Sequence, residues 1–217
     1  MNKIAVLGTG DVGNTIGSKL IELGYSVAMG SRSANNEKAV AFAAKHGNKA
    51  LAGTFAEAAA FGELIFNCTK GANSLEALKL AGEKNLKNKI IVDVSNPLDF
   101  SKGMPPSLTV CNTNSVGEEI QKAFPSAKVV KALNTIWCGI MVDPTLVNGG
   151  DHNTFLSGND SEAKGEIKKL LVDFGWNEDN ILDLGDISTA RGTEMYLPLW
   201  VRIMGAKNSG VFNIKIV

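Results

Sequence analysis

The chain has 217 residues, with 22 Lys+Arg against 22 Asp+Glu, two His, three Cys and 44% hydrophobic residues. That length suits one large domain, or a main domain with a small appendage, and buries a full core without disulfides or metal. Zero formal charge removes the basic footprint of a nucleic-acid binder, and no stretch reaches the ~20 apolar residues that span a bilayer.

In chain order, residues 3–7 (KIAVL) are predicted to form a strand buried on both faces. Residues 13–23 place Ile16, Leu20, Ile21 and Leu23 at helical spacing. A second strand is expected at 25–29 and a second helix from Asn35 to His46. Further strands are expected at 49–52, 63–67, 89–94 and 127–132, with helices at 72–82 and 114–123 among the segments between them. Short apolar strands alternating with helices read as an α/β fold, a doubly wound parallel sheet with helices on both faces. After about residue 145 the texture changes. A strand is expected at 153–157, a helix at 161–174, a strand at 181–184 and one long or kinked helix at 188–206, interrupted by Pro198. A glycine turn at Gly210 then leads to a terminal strand, 211–217. The expected division is a dinucleotide-binding domain over 1–145 and a small C-terminal helical lobe over 146–217.

Gly8-Thr9-Gly10-Asp11-Val12-Gly13 is a G-x-G-x-x-G between a predicted strand and a predicted helix. Gly8 permits a tight turn, Gly10 lets backbone approach a pyrophosphate, and Gly13 allows close helix–strand packing. The loop N–H groups and the helix dipole then favour a bound dianion. At the end of the second strand an NAD site would present Asp or Glu, but this chain has Gly30-Ser31-Arg32. A small residue, a hydroxyl and a guanidinium suit a 2′-phosphate, which points to NADP. Thr9 is a further hydroxyl donor and Lys38 a second cation.

Cys68, Cys111 and Cys138 are odd in number and lack a C-x-x-C pair, which argues against a disulfide framework and for a reducing, cytoplasmic compartment. Cys138 reads as a small pocket or core residue. His46, at a helix end, reads as a cap. His152, in a Gly-Gly-Asp-His-Asn loop, reads as solvated. Two unpaired histidines give no metal site. Arg191 and Glu194, three apart, read as a local ion pair on a helix.

The glycine loop, Gly30-Ser31-Arg32, Asp93-Val94-Ser95-Asn96-Pro97 and Lys131-Ala132-Leu133-Asn134-Thr135 together resemble the NADP oxidoreductase family that reduces or reoxidises the deazaflavin coenzyme F(420). The same fold occurs as the reductase domain of the STEAP ferric reductases. The resemblance implies a Rossmann domain with a small C-terminal lobe, commonly as a homodimer. It implies that Thr9 to Val12 line the pyrophosphate and that Ser31 and Arg32 line the 2′-phosphate. It also puts Cys68, Thr69 and Lys70 near the ribose, and Ser95, Asn96 and Pro97 at the nicotinamide. Asn134, Thr135 and Ile136 would position the rings, with Cys138 nearby, and the helix of Arg191 and Glu194 would lie beside the acceptor pocket. The archaeal deazaflavin enzymes carry His where this chain has Asn134, and the Asn form resembles the flavin-using reductase domains.

The expected activity is hydride transfer between NADPH and a flat-ring acceptor, a deazaflavin or a flavin. The two cofactors carry the electrons, so no general acid or base is required of the protein. The alternative from another class is a non-catalytic NADPH-binding sensor or partner protein. Third is a small imine or hydroxyacid reductase.

Overall fold

The computed structural model describes residues 2–217; Met1 of the expected first domain lies outside it. The first half of the chain runs β1 (Lys3–Leu7), α1 (Asp11–Glu22), β2 (Ser26–Ser31), α2 (Glu37–His46), β3 (Ala50–Thr54), α3 (Phe55–Phe61), β4 (Leu64–Asn67), α4 (Gly71–Ala81), α5 (Glu83–Leu86) and β5 (Ile90–Asp93). A two-stranded hairpin follows, β6 (Leu98–Asp99) and β7 (Ser107–Leu108), then α6 (Val116–Ala123), β8 (Lys128–Ala132) and α7 (Cys138–Val142). The remainder is β9 (Thr154–Gly158), α8 (Ser161–Asp173), β10 (Ile181–Asp183), α9 (Ala190–Met195) and α10 (Leu197–Lys207).

The main sheet has the order β10-β9-β8-β5-β4-β1-β2-β3. Its six strands from β3 to β8 are parallel and follow the doubly wound Rossmann order, with the reversal between β1 and β4. Successive strand residues feed opposite faces, as the two-residue period requires. Ile4 and Val6 join Ile16, Leu20 and Phe42 on one side, while Ala5 and Leu7 join Ala58, Leu78 and Ile120 on the other. A sheet buried on both faces is why the strand sequences are continuously apolar.

Beyond residue 145 the same sheet continues. β9 runs antiparallel to β8, with Lys131 opposite Ser157, and β10 is parallel to β9. Between β8 and β9 the chain has only the five-residue α7 and short 3₁₀ turns, so it re-enters the sheet at the end it left. The 13-residue α8 supplies the crossover that a parallel β9–β10 pair needs.

Not every expectation holds at the ends of elements. The segment 211–217 forms no strand: it crosses the start of β9 through single bonds, Asn153 N–H to the Ile214 carbonyl (2.9 Å) and Ile216 N–H to Asn153 Oδ1 (2.7 Å). The long or kinked helix expected over 188–206 is the kinked one: α9 and α10 meet at Tyr196, itself helical at φ −67° and ψ −26°, where Pro198 supplies no N–H to the preceding turn. Asn208, left-handed at φ +49°, closes α10 before Gly210 is reached. Helix α3 was not expected at all, although Thr54 and Glu57 form a capping box at its start. Among the described residues no helix is long and apolar enough to cross a membrane.

Phe66 on β4 is fully buried among side chains of the first face. Phe66→Ala is expected to lower unfolding free energy by about 3–5 kcal/mol, seen as a lower urea midpoint at unchanged slope.

Candidate functional site

At the reversal between β1 and β4 the backbone is crowded. Gly8 has φ +119°, and a Cβ there would lie 2.6 Å from the Cys68 carbonyl oxygen. A Cβ on Gly13 would lie 2.1 Å from the Gly8 carbonyl oxygen, so α1 packs directly on the turn that precedes it. Gly10 differs: it is extended, starts α1, and has nothing within 4 Å of its would-be Cβ. The first and third glycines serve the fold, and the second leaves an open face at a helix N-terminus that no side chain caps.

Two cavities meet at Gly10, Cys68, Thr69 and Lys70. The first, of about 440 Å³, adds Gly8, Thr9, Ser31 and Arg32 to these, as the sequence suggested. It also takes in Ser33, Asn36, Phe55 and Asn73, which sequence reasoning missed. Asn36 was readable as a cap: its side chain accepts from Lys38 N–H and Ala39 N–H and so sets the N-terminus of α2 at the cavity. Buried Ser31 donates to the Ser33 carbonyl (2.5 Å) and accepts from Ser33 N–H (3.2 Å), holding that loop in a turn. Among the described residues no carboxylate forms an ion pair with Arg32, which is exposed. Lys38 and Pro97 do not line either cavity. Gly30 lines neither cavity: a Cβ there would lie 2.9 Å from Ala58 Cβ, so its smallness serves the packing of α3 on β2.

The second cavity, of about 330 Å³, is lined by Asp11, Val12, Ser95 and Asn96, and by three residues not expected, Val94, Leu98 and Phe100. The last two come from the β6–β7 hairpin and its start, which has no periodic signal to read. Asn134, Thr135 and Ile136 are buried behind this wall. Asn96 Nδ2 donates to the Asn134 carbonyl (2.7 Å), and Asn134 Nδ2 donates back to Asn96 Oδ1 (2.9 Å). The preceding Leu133 has φ +61°, a strained conformation for a bulky residue, which turns the chain from β8 toward Asn96. Cys138 packs against the core of the α1 face.

Beneath the strand ends lies a polar network. Asn67 Nδ2 donates to Asp93 Oδ1 (2.8 Å) and to Ser74 Oγ (3.0 Å), while its Oδ1 accepts from Thr69 Oγ1 (2.7 Å). Lys131 Nζ lies 2.8 Å from Asp93 Oδ2 and 2.6 Å from Glu194 Oε1. Burial alone would lower the Lys131 pKa, but the two carboxylates outweigh it and hold the ammonium above its ordinary value. Burial pushes the Glu194 carboxyl up, against the pull of Lys131. Burial, with Asp93 nearby, also pushes the thiol of Cys68, at the junction of the cavities, above its usual range, which disfavours the thiolate.

Other expectations change. Glu194 does not pair with Arg191: it accepts from Val116 N–H (2.8 Å) and Gly117 N–H (3.1 Å) at the start of α6. Arg191 instead grips Glu118 with two bonds, 2.8 and 2.5 Å. Both partners were out of sequence range. His152 is buried rather than solvated: its Nδ1 accepts from Asn213 Nδ2 (2.7 Å), leaving Nε2 to donate to the Pro144 carbonyl (2.8 Å). His46 stands in the last turn of α2 and reaches across to Ser18 Oγ (3.1 Å) on α1, with burial and Lys45 lowering its pKa.

A family model described as NADP oxidoreductase, coenzyme F(420)-dependent, matches residues 3–97. A crystal structure described as a candidate F(420)-dependent NADP-reductase from Arthrobacter sp. FB24 is 48% identical, with a TM-score of 0.93 over 99% of this chain and 98% of that one. The metalloreductase STEAP3 of Rattus norvegicus is 28% identical over 213 residues, 91% of this chain; the chain spans 38% of that protein's length. A reductive aminase from Aspergillus terreus, solved with NADPH, is 17% identical with a TM-score of 0.65, a likeness of fold alone, over 95% of this chain and 63% of that one.

The contrast between the glycines is measurable by urea unfolding. Gly10→Ala meets no steric contact but replaces a favoured N-cap residue, and is expected to change stability by less than about 1 kcal/mol. Gly13→Ala is expected to lose about 1–3 kcal/mol as helix and turn are forced apart.

Proposed function

The chain belongs to the family of coenzyme F(420)-dependent NADP oxidoreductases, and we propose that it transfers a hydride between NADP(H) and a flat-ring acceptor of deazaflavin or flavin type. The observation that carries this reading is the pair of cavities joined at Gly10 and Cys68–Lys70, one with an unpaired guanidinium and the other with an apolar wall of Val94, Leu98 and Phe100.

The residues fit the nucleotide. The uncapped N-terminus of α1 and the open face of Gly10 suit a pyrophosphate. Arg32, Ser33 and Asn36 offer donors for a 2′-phosphate, with Ser31 shaping their turn. The relatives point the same way: the Arthrobacter protein is described as an NADP-reductase, and the Aspergillus aminase was solved with NADPH.

NADPH, when bound, supplies the hydride. The chain's part is to orient: Ser95 and Asn96 border the ring end, and Val94, Leu98 and Phe100 give a flat ring an apolar surface that displaces water. Asp11, Cys68 and Lys70 are the titratable side chains lining that cavity. Cys68 stays protonated, and hydride transfer to a second ring asks no general acid or base of the others. Residues 146–217, none of which lines either cavity, are assigned to backing the acceptor side through Glu194 and to contacts between protomers of a cytoplasmic homodimer, for which exposed Leu199 and Val211 offer apolar surface.

Loss of NADPH absorbance on mixing with flavin, deazaflavin, ferric chelate or a cyclic imine tests the reading. Turnover with a flavin or deazaflavin supports it. Turnover with the imine alone makes the protein an imine reductase, and tight NADPH binding without any turnover makes it a binding protein. Separately, Arg32→Ala is expected to weaken NADP binding by about 1.5–3 kcal/mol while leaving NAD nearly unchanged. Equal loss for both, measured by calorimetry, would make Arg32 structural.

A further inference from the structure

The crevice accounts for the glycine loop and for Arg32, but not for three charged side chains buried behind its ring end. Lys131 on β8, Asp93 on β5 and Glu194 on α9 are each 1% exposed or less. A buried ammonium is tolerated only where each of its three N–H groups finds an acceptor. Here Asp93 Oδ2 lies at 2.8 Å, Glu194 Oε1 at 2.6 Å and the Ser95 carbonyl at 2.6 Å. Apolar side chains of similar volume commonly fill such a space with equal or greater stability, so stability by itself gives no reason for the charges.

What the charges do is immobilise Ser95. Asp93 Oδ1 accepts from Ser95 N–H (3.1 Å) and from Ser95 Oγ (2.7 Å), and Lys131 donates to its carbonyl. Every polar group of Ser95 is held from behind. The next residue, Asn96, is thereby delivered to the cavity wall, where its amide exchanges two bonds with Asn134. Its carbonyl accepts from Gly71 N–H (3.1 Å), at a contact where a Cβ on Gly71 would lie 2.2 Å from that oxygen. Lys131 lines neither cavity.

We infer that Lys131 is a positioning residue: through the Ser95 carbonyl it holds the Asn96–Asn134 amide pair at the ring end of the crevice, and through Glu194 it ties that wall to α9. This rests on the reading that NADP lies in the crevice with its nicotinamide toward Ser95 and Asn96. The ammonium touches no ligand. It acts by fixing the wall against which the nicotinamide half rests, and leaves the adenosine half to the glycine loop and residues 31–36.

Calorimetry on the full chain with two probes, NADP⁺ and adenosine 2′,5′-bisphosphate, separates those halves. In Lys131→Met the bisphosphate is expected to bind within about twofold of the parent, while NADP⁺ weakens about tenfold, the scale of one charge-assisted contact. Parallel loss of both probes, or no loss of either, overturns the assignment, because a merely structural lysine would not discriminate between them. If Lys131→Met does not fold, the neutral pair Lys131→Gln with Glu194→Gln is expected to show the same split. Failure of both variants to fold would assign the triad to the core and overturn the proposal. If the parent chain binds neither probe, the nucleotide reading falls and this one with it. If the parent binds both and the variants lose them equally, only the positioning role falls.

Discussion

An ammonium group without access to water has to be met on three sides, and in this chain two of those sides come from the end of β5 and the third from α9, 63 residues further along than the lysine. Lys131 stands on β8, Asp93 on β5, Glu194 on α9 and the Ser95 carbonyl just beyond β5. Removing one partner of such a cluster would leave a bare charge in the interior, at a cost of about 3–5 kcal/mol. The strand ends and the C-terminal helices therefore cannot shift independently. Glu194 extends the constraint further, since the carboxylate that meets Lys131 also accepts the first N–H groups of α6, where negative charge suits the helix dipole.

Around that fixed point the crevice divides its work between backbone and side chains. The turn from β1 into α1 is set by close approach, with no room for a Cβ at Gly8 or Gly13, and its open face is at Gly10 alone. The polar cavity is dressed by the ends of β2 and α2, the ring cavity by the ends of β4 and β5 and by the β6–β7 hairpin. Reactive side chains are few there, and Cys68 is held protonated by its burial. Such a site is compatible with the proposed hydride transfer, in which bound cofactors would carry the chemistry and the protein would supply orientation and an apolar surface.

The centre of the sheet was legible because β1, β4 and β5 are buried along nearly their whole length and read as short apolar runs. β1 falls on residues 3–7 as expected, β4 and β8 differ from expectation by one residue at one end, and β5 by one residue at each end. Where the reading failed, the signal was absent or was decided elsewhere. The capping box of α3 is local and could have been found. The C-terminal segment 211–217 is apolar enough for a strand, but β9 and β10 have already extended the sheet, and the segment crosses β9 instead of pairing along it. His152 looked solvated among glycines and polar residues, and is buried against Trp176, 5.0 Å between ring centres.

By itself the sequence determined most of the alternation of strands and helices in the parallel sheet, the turn at Gly8–Gly13 and the cation after β2, because backbone conformation and helix capping depend on neighbouring residues. Only the tertiary structure decided the partners of the charges. Glu194 pairs with a lysine 63 positions away rather than with Arg191 three positions away, and Arg191 with Glu118. It also decided which residues wall the ring cavity, since Phe100 and Leu98 arrive on a hairpin without periodicity. Local rules reach one turn of helix or one strand pair; burial of charge is settled by whichever acceptors the whole fold brings within hydrogen-bond distance.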